Sequence, residues 1–123
     1  MAMNPDESLT ASIAPLLNLS DDELYEELSN AILGVGHGIG PRDRDGRRKF
    51  GRQWFNGRLD EFKQSICTRD SVKELQGLSP GDQVLAMAAV ADALMHTIGQ
   101  PAAVVVGILI MRLGLDTFCQ GYW

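Results

Sequence analysis

Asp92 and His96 have the residue types and spacing that most readily suggest chemistry. They stand four positions apart in a segment of helical periodicity, and Gln100 follows one turn later, so the three share a helix face. A carboxylate that orients an imidazole is half of a general-base arrangement, and such side chains can also bind a metal. No nucleophile or third ligand stands at a recognisable spacing from them, so a polar helix face is the preferred interpretation.

A glycine-rich stretch at 34–41 contains the other histidine, His37. Its alternating glycines resemble a phosphate-binding loop, but both the dinucleotide fingerprint and the P-loop follow a strand, whereas a predicted helix precedes this stretch. Glycine's open backbone explains the composition without a ligand, so we predict a helix connector. An enzyme or anionic-ligand-binding protein that uses Asp92, His96 and Gly34–Gly40 is the alternative to a non-catalytic protein.

The two cysteines and two histidines, Cys67, Cys119, His37 and His96, do not form the close sequence pairs that zinc sites normally show. We therefore predict no metal and no cofactor. Two cysteines are also too few for a disulfide scaffold, and the N-terminal sequence lacks the basic start and apolar run of an export signal. We expect both cysteines to be buried thiols and the protein to be cytoplasmic.

Opposite charges are concentrated in separate parts of the chain, whose net charge is −5. Residues 1–41 contain seven acidic side chains and neither lysine nor arginine, whereas residues 42–63 contain eight basic and four acidic side chains. Arg44, Arg48 and Arg52 recur every four positions and would form a row on one side of a helix. Pairing within the molecule, or solvation, is the preferred interpretation of this row. Docking onto an acidic partner protein, or onto the acidic helix of another copy, comes second.

Nucleic-acid binding by the segment Arg42–Arg58 comes third. Guanidinium groups neutralise phosphates and aromatic rings stack on bases, and Trp54 and Phe55 stand beside the arginines. These aromatic residues nevertheless have the spacing of a helix core, and the protein as a whole is acidic. The last two residues, Tyr122 and Trp123, either close over the core or form an exposed contact site, and we give these two interpretations equal weight.

The elements that position these residues are predicted to be helices. Residues 79–98 have apolar side chains at intervals of three and four after a helix-start signal, and Gly99 marks the end of this helix. Residues 101–113 are apolar on every side, which indicates a buried helix, since a lone strand would leave its backbone groups unpaired. The short joint favours a helical hairpin, and the small residues Ala103 and Gly107 would let a neighbouring backbone approach closely.

Helices are also predicted on both sides of the glycine-rich connector. The Ser20–Glu23 stretch has a capping-box pattern that starts a helix over 21–33. An amphipathic helix with aromatic residues on its inner side follows over about 45–66, and its two glycines, Gly51 and Gly57, weaken it enough for fraying or a kink. A short helix capped by Thr68 or Asp70 is expected next.

These elements predict an all-α, single-domain bundle of five or six helices around a central apolar helical hairpin, spanning 1–123 with a loose tail at 1–8. Polar residues interrupt the hairpin before it reaches the roughly 20 apolar residues of a membrane span. The function predicted from these features is that of a non-catalytic adaptor. Such an adaptor would bind another protein, or a second copy of itself, through its arginine-rich and acidic helices.

Overall fold

The computed structural model of the chain describes residues 11–34, 43–73 and 83–122. Over these ranges the secondary structure is helical and contains no strand, which confirms the predicted all-α class. The described residues form seven α-helices, rather than the five or six expected for the whole chain. After a 3-10 turn at Ala14–Leu16, they are α1 (Asp21–Leu33), α2 (Arg44–Gly57), α3 (Leu59–Ile66), α4 (Asp70–Lys73), α5 (Gln83–Ile98), α6 (Gln100–Leu113) and α7 (Leu115–Phe118).

The predicted tail at 1–8 and nearly all of the glycine-rich connector lie outside the described residues, as does the predicted start signal of α5. Among the helices that are described, none is both long and apolar enough to cross a membrane.

Helix α1 begins and ends at the residues that the sequence predicts. The Ser20 hydroxyl accepts a hydrogen bond from the Glu23 backbone N–H at 3.2 Å, and the Glu23 carboxylate accepts one from the Ser20 N–H at 3.2 Å. This reciprocal capping box satisfies two backbone donors that a helix start leaves without partners. At the other end, Gly34 has a φ of +83°, a conformation that glycine adopts without a steric penalty.

The long amphipathic helix predicted over 45–66 is two helices. Helix α2 ends at Gly57, and Arg58 leaves the helical conformation with φ −117° and ψ 13° before α3 begins. Glycine disfavours continuation of a helix, which accounts for the position of the break. The predicted inner aromatic face is nevertheless present. Phe55 and Phe62 are buried on either side of the break, with ring centroids 5.9 Å apart.

Helices α5 and α6 are joined at Gly99, which has a φ of +80°, and pack along each other. Residues 102–110 are all buried, so the β-branched run forms a covered helix and not a strand. A Cβ atom at Gly107 would lie 3.3 Å from the Met87 carbonyl oxygen and 3.4 Å from the Ala91 nitrogen. The predicted close approach of a neighbouring backbone at this glycine is therefore confirmed.

The remaining helices pack around this pair. Helix α1 contacts α6 on one side and α2 on the other, while α3 and α4 contact α5. The short helix α7 follows α6 directly and contacts it. The α1–α2 pair, which carries the opposite charges, therefore lies beside the α5–α6 pair with α1 between α2 and α6.

Cys67 and Cys119 form a disulfide, and the prediction of two free thiols was wrong. The predicted burial of both residues is confirmed, with 4% and 0% of their surface exposed. Their Cα atoms lie 5.5 Å apart, although 52 positions separate the two residues in the sequence. The fold places the end of α3 next to the end of α7, and the sequence spacing contains no signal for that proximity.

Candidate functional site

The surface where the two charged helices meet depends on a close backbone crossing. Gly51 on α2 lies against the Tyr25 carbonyl on α1, and a Cβ atom at this position would overlap that carbonyl group. The Ser29 hydroxyl lies 3.1 Å from the backbone carbonyl oxygen of Tyr25 and donates to the backbone carbonyl oxygen of Arg47 on α2. The sequence indicated only that Gly51 weakens its helix, whereas in the structure the absence of a side chain at this residue lets the two helices come into contact.

Arg47, near the start of α2, binds the C-terminal end of α1. Only 6% of this arginine is exposed, and its guanidinium donates to the Asn30 side-chain oxygen at 3.2 Å and to the Gly34 carbonyl oxygen at 3.0 Å. The last carbonyl groups of a helix lack intrahelical partners, and a cation is favoured near them. Arg47 therefore supports the C-terminal end of α1, and its charge is not available to a partner.

Arg44 and Arg48, two members of the predicted row, pair with the acidic helix of the same chain. Their Nε atoms lie 3.4 Å and 3.2 Å from one Glu26 carboxylate oxygen. The side chain of Arg44 is still 72% exposed, whereas that of Arg48 is 28% exposed. Arg52, the third member, is exposed and forms no ion pair or hydrogen bond through its side chain with another described residue.

A shallow cleft of about 170 Å³ lies between the charged faces of α1 and α2. It is lined by Asp22, Asp45, Arg48, Lys49 and Arg52. Within the described part of the chain, the side chain of Arg48 alone among these five has an ion-pair partner. The cleft therefore presents both positive and negative groups that can pair with another molecule. The described lining includes no serine, threonine, cysteine or histidine.

Two side chains on α1 have shifted pKa values that reflect this arrangement. The backbone and side-chain hydrogen bonds from Ser20 lower the pKa of Glu23, and the charges of Arg48 and Arg44 add to the effect. Burial raises the pKa of Tyr25, with a further contribution from Asp21 that Arg52 partly opposes. Glu23 is therefore ionised and Tyr25 is neutral at physiological pH.

The candidate pair Asp92 and His96 lies on the exposed side of α5. Neither side chain forms an ion pair or a hydrogen bond with another described residue. His37 and the rest of the glycine-rich stretch at 35–41 lie outside the described residues. The described part of the chain therefore shows no contact between Asp92 or His96 and the other residues of the predicted enzyme or anion-binding site. In the described ranges no three side chains of histidine, cysteine, aspartate or glutamate are grouped closely enough to hold a metal ion.

Of the two aromatic residues beside the arginine row, Phe55 is buried and Trp54 is half-buried against the core. Phe55 is 2% exposed and packs against Tyr25 and Phe62, while the Trp54 ring lies against Phe62 and under the Arg58 guanidinium at 4.7 Å. Phe55 is therefore not available to stack on bases, whereas Trp54 keeps part of its surface exposed.

Tyr122 is 45% exposed and so does not close over the core; Trp123 lies outside the described residues.

A second cavity, which sequence reasoning missed, lies between the 3-10 turn, α1 and α6. Its volume is about 560 Å³, and its walls include the apolar residues Leu16, Ala31, Val104 and Val105 with the polar residues Glu27 and Asn30. Helix α6 is distant in sequence from the turn and from α1, so no local pattern could have indicated the cavity.

Comparison of the chain with protein-family models, with curated proteins and with solved structures finds no match.

Proposed function

We propose that the chain forms one helical domain, organised around the α5–α6 pair, that acts without catalysis by binding other proteins through the charged α1–α2 face. The observation that carries this proposal is the cleft between α1 and α2. Acidic and basic side chains line it together, and Asp22, Lys49 and Arg52 have no ion-pair partner within the described part of the chain. Ion pairs between such exposed groups contribute little stability in water. A partner whose surface charges are arranged in the complementary pattern can pair with all of these groups at once.

The mixture of charges favours a protein partner over a nucleic acid. A phosphate backbone presents one sign of charge, so Asp22 and Asp45 would repel it wherever Lys49 and Arg52 attract it. A protein surface presents both signs and can match the cleft. The partner is another protein or a second copy of this chain.

We also propose that the protein is cytoplasmic. Disulfides are rare in that compartment, and those that occur there are usually transient, so this proposal requires that the Cys67–Cys119 bond be reduced for at least part of the time in the cell.

The test is to reverse the two unpaired cations of the cleft, in the variant K49E/R52E, and to compare the proteins that cross-link to it in the native cell. Both side chains are exposed and form no described ion pair, so the fold should be unaffected. The matched control is R69E/K73E, which makes the same change in net charge on exposed residues outside the cleft. We expect K49E/R52E to lose the partner that the wild-type protein and the control retain.

Recovery should also decline as salt rises towards physiological strength, since screening shortens the reach of exposed charges to about 8 Å. Equal recovery of the same partner with K49E/R52E and with wild-type protein would show that the cleft does not bind it.

A further inference from the structure

The second cavity, between the 3-10 turn, α1 and α6, has the size of a small-molecule site. Its volume of about 560 Å³ lies within the range of roughly 300–1,000 Å³ that is usual for such sites. Each of the two helices lines it with residues at positions i, i+3 and i+4, which share one helix face. These residues are Glu27, Asn30 and Ala31 on α1, and Pro101, Val104 and Val105 on α6. The cavity therefore lies between two facing helix surfaces.

The apolar lining of the cavity lies deep, and its charged lining lies at the surface. Val104 and Val105 are each 3% exposed, whereas Glu27 and Ala31 are exposed. Ala31 has no side-chain atom beyond Cβ, so it leaves the space between α1 and α6 open. A molecule that enters the cavity would therefore place its apolar part against the two valines and its polar part near Glu27.

Glu27 supplies the charge of this cavity. The described lining includes no lysine, arginine or histidine, and the Glu27 side chain forms no ion pair or hydrogen bond with another described residue. The Asn30 side-chain oxygen already accepts a hydrogen bond from the Arg47 guanidinium at 3.2 Å, so this bond fixes the orientation of the amide. The carboxylate of Glu27 is therefore the group that can pair with a ligand, and it attracts a cation and repels an anion.

We propose that this cavity binds a small amphipathic amine. The ammonium group of the ligand donates to the Glu27 carboxylate, and its apolar body lies against Leu16, Val104 and Val105. A hydrogen bond between two ionised groups is roughly twice as strong as one between neutral groups, and the apolar body is stabilised by leaving water. An alcohol of the same shape keeps the apolar contacts but loses the ion pair, and a carboxylate is repelled. The expected order of affinity is therefore amine, alcohol, carboxylate.

The test is an NMR titration of the full chain with three probes that share one apolar ring, namely cyclohexylmethylamine, cyclohexylmethanol and cyclohexanecarboxylate. The reporters are the backbone amides of Ala31, Val104 and Val105, and the control is the amide of Phe62 on α3, which does not line the cavity. We expect the amine to produce saturable shifts at the reporters and none at Phe62. It should bind about threefold more tightly than the alcohol, because an ion pair with an exposed carboxylate is weak, and the carboxylate probe should bind least.

Two substitutions separate the ion pair from the apolar contacts. Glu27→Gln keeps the shape of the side chain and removes its charge, so the amine should then bind no more tightly than the alcohol. Asp60→Asn is the matched control and should keep the wild-type order, because Asp60 is exposed, lies outside the cavity and has no described partner. Ala31→Phe fills part of the cavity and should weaken the binding of amine and alcohol alike. If that variant does not fold, the wild-type titrations and Glu27→Gln still decide the outcome.

The proposal would be overturned if the amine produced no saturable shifts at the reporters, or if the wild-type chain bound amine and alcohol equally. An amine preference that survives Glu27→Gln would also overturn it, since another group would then bind the ammonium. Tighter binding of the carboxylate probe would show that the cavity attracts anions and would overturn it as well. The titration includes no protein partner, so its failure leaves the proposed role of the α1–α2 cleft intact.

Discussion

Gly51 allows α1 and α2 to cross with their backbones in contact. An alanine at this position has two opposing effects. Alanine favours a helix over glycine by about 0.5–1 kcal/mol. Its Cβ atom would overlap the Tyr25 carbonyl, and overpacking of this kind typically costs about 1–3 kcal/mol. The overlap is with backbone, which has little freedom to move, so the steric effect should dominate.

We therefore expect Gly51→Ala to lower the free energy of unfolding by about 1–2 kcal/mol, as measured by urea denaturation. Gly57→Ala is the matched control, because a Cβ atom at Gly57 would have no neighbour within 4 Å. The control should be neutral or slightly stabilising. If Gly51→Ala were as stable as the control, the α1–α2 crossing would not be as close as the structure has it.

The ionisation of Glu23 makes the stability of the capping box at the start of α1 depend on pH. Its pKa is lowered by the hydrogen bonds from Ser20, so in the folded protein the carboxylate loses its charge at a lower pH than in the unfolded chain. The resulting stability is present above the pKa of the unfolded residue, and it is lost as the pH falls through the lowered pKa of the folded one.

We expect Ser20→Ala to move the pKa of Glu23 only part of the way back towards its usual value, because alanine removes the hydroxyl but keeps the backbone N–H that is the larger cause of the shift. NMR titration of the side-chain carboxyl carbon measures this change. The variant should also be less stable than wild type at neutral pH, and this difference should narrow in acid. A Glu23 titration that is unchanged by the substitution would show that the Ser20 side chain does not contribute to the shift, because alanine keeps the backbone N–H that donates to the Glu23 carboxylate.

At the scale of elements, Arg112 ties the end of α6 to the chain that enters α1. Its guanidinium donates to the Asp21 carboxylate at 2.7 Å and to the Leu17 and Leu19 carbonyl oxygens at 3.2 and 2.6 Å. Its side chain is 29% exposed, and that of Asp21 is 62% exposed, so solvent screens the ion pair. The two backbone acceptors should contribute more, since they fix the turn before α1.

We expect Arg112→Met to lower the free energy of unfolding by about 1–2 kcal/mol, because three charge-assisted hydrogen bonds are lost at once. Arg69→Met is the control. Arg69 is exposed and donates to the Ser65 carbonyl oxygen within its own segment, so its loss should cost less than about 0.5 kcal/mol. Equal effects of the two substitutions would show that Arg112 does not connect α6 to α1 in solution.

The elements that could be predicted from the sequence are those with local signals. Ser20 and Glu23 determine the start of α1 by contacting each other, and the apolar residues of α6 indicate burial by composition alone. The two glycines indicated fraying or a kink in this helix, but the aromatic periodicity is the same in a continuous helix and in a broken one, so the position of the break at Arg58 was not predicted. The charged cleft depends on how α1 crosses α2, so no spacing along the chain places Asp22 beside Arg52.

At the scale of the whole molecule, the disulfide depends, like the charged cleft, on how the helices pack against one another. Cys67 and Cys119 were predicted to be buried, and burial in a common core brought them together. Which buried cysteines become neighbours is decided by the packing of α3, α6 and α7. The loop that the bond closes contains α4, α5, α6 and α7, and therefore includes both helices of the apolar pair.

Closing so long a loop should stabilise the fold chiefly by restricting the unfolded chain. For residues 52 positions apart, the chain-entropy relation gives about 4 kcal/mol at 25 °C. We expect reduction to lower the urea midpoint by roughly 2 M, taking a dependence on urea of about 2 kcal/mol per M for a domain of this size. A C67A/C119A variant, measured with and without reductant, is the control and should not respond to the reductant.

A midpoint that shifts by less than about 0.5 M in the wild-type chain would mean that the unfolded state is already compact across this loop, or that the two cysteines are not bonded in solution. Mass measurement after alkylation under denaturing conditions separates these two cases, because bonded cysteines take up no label until they are reduced.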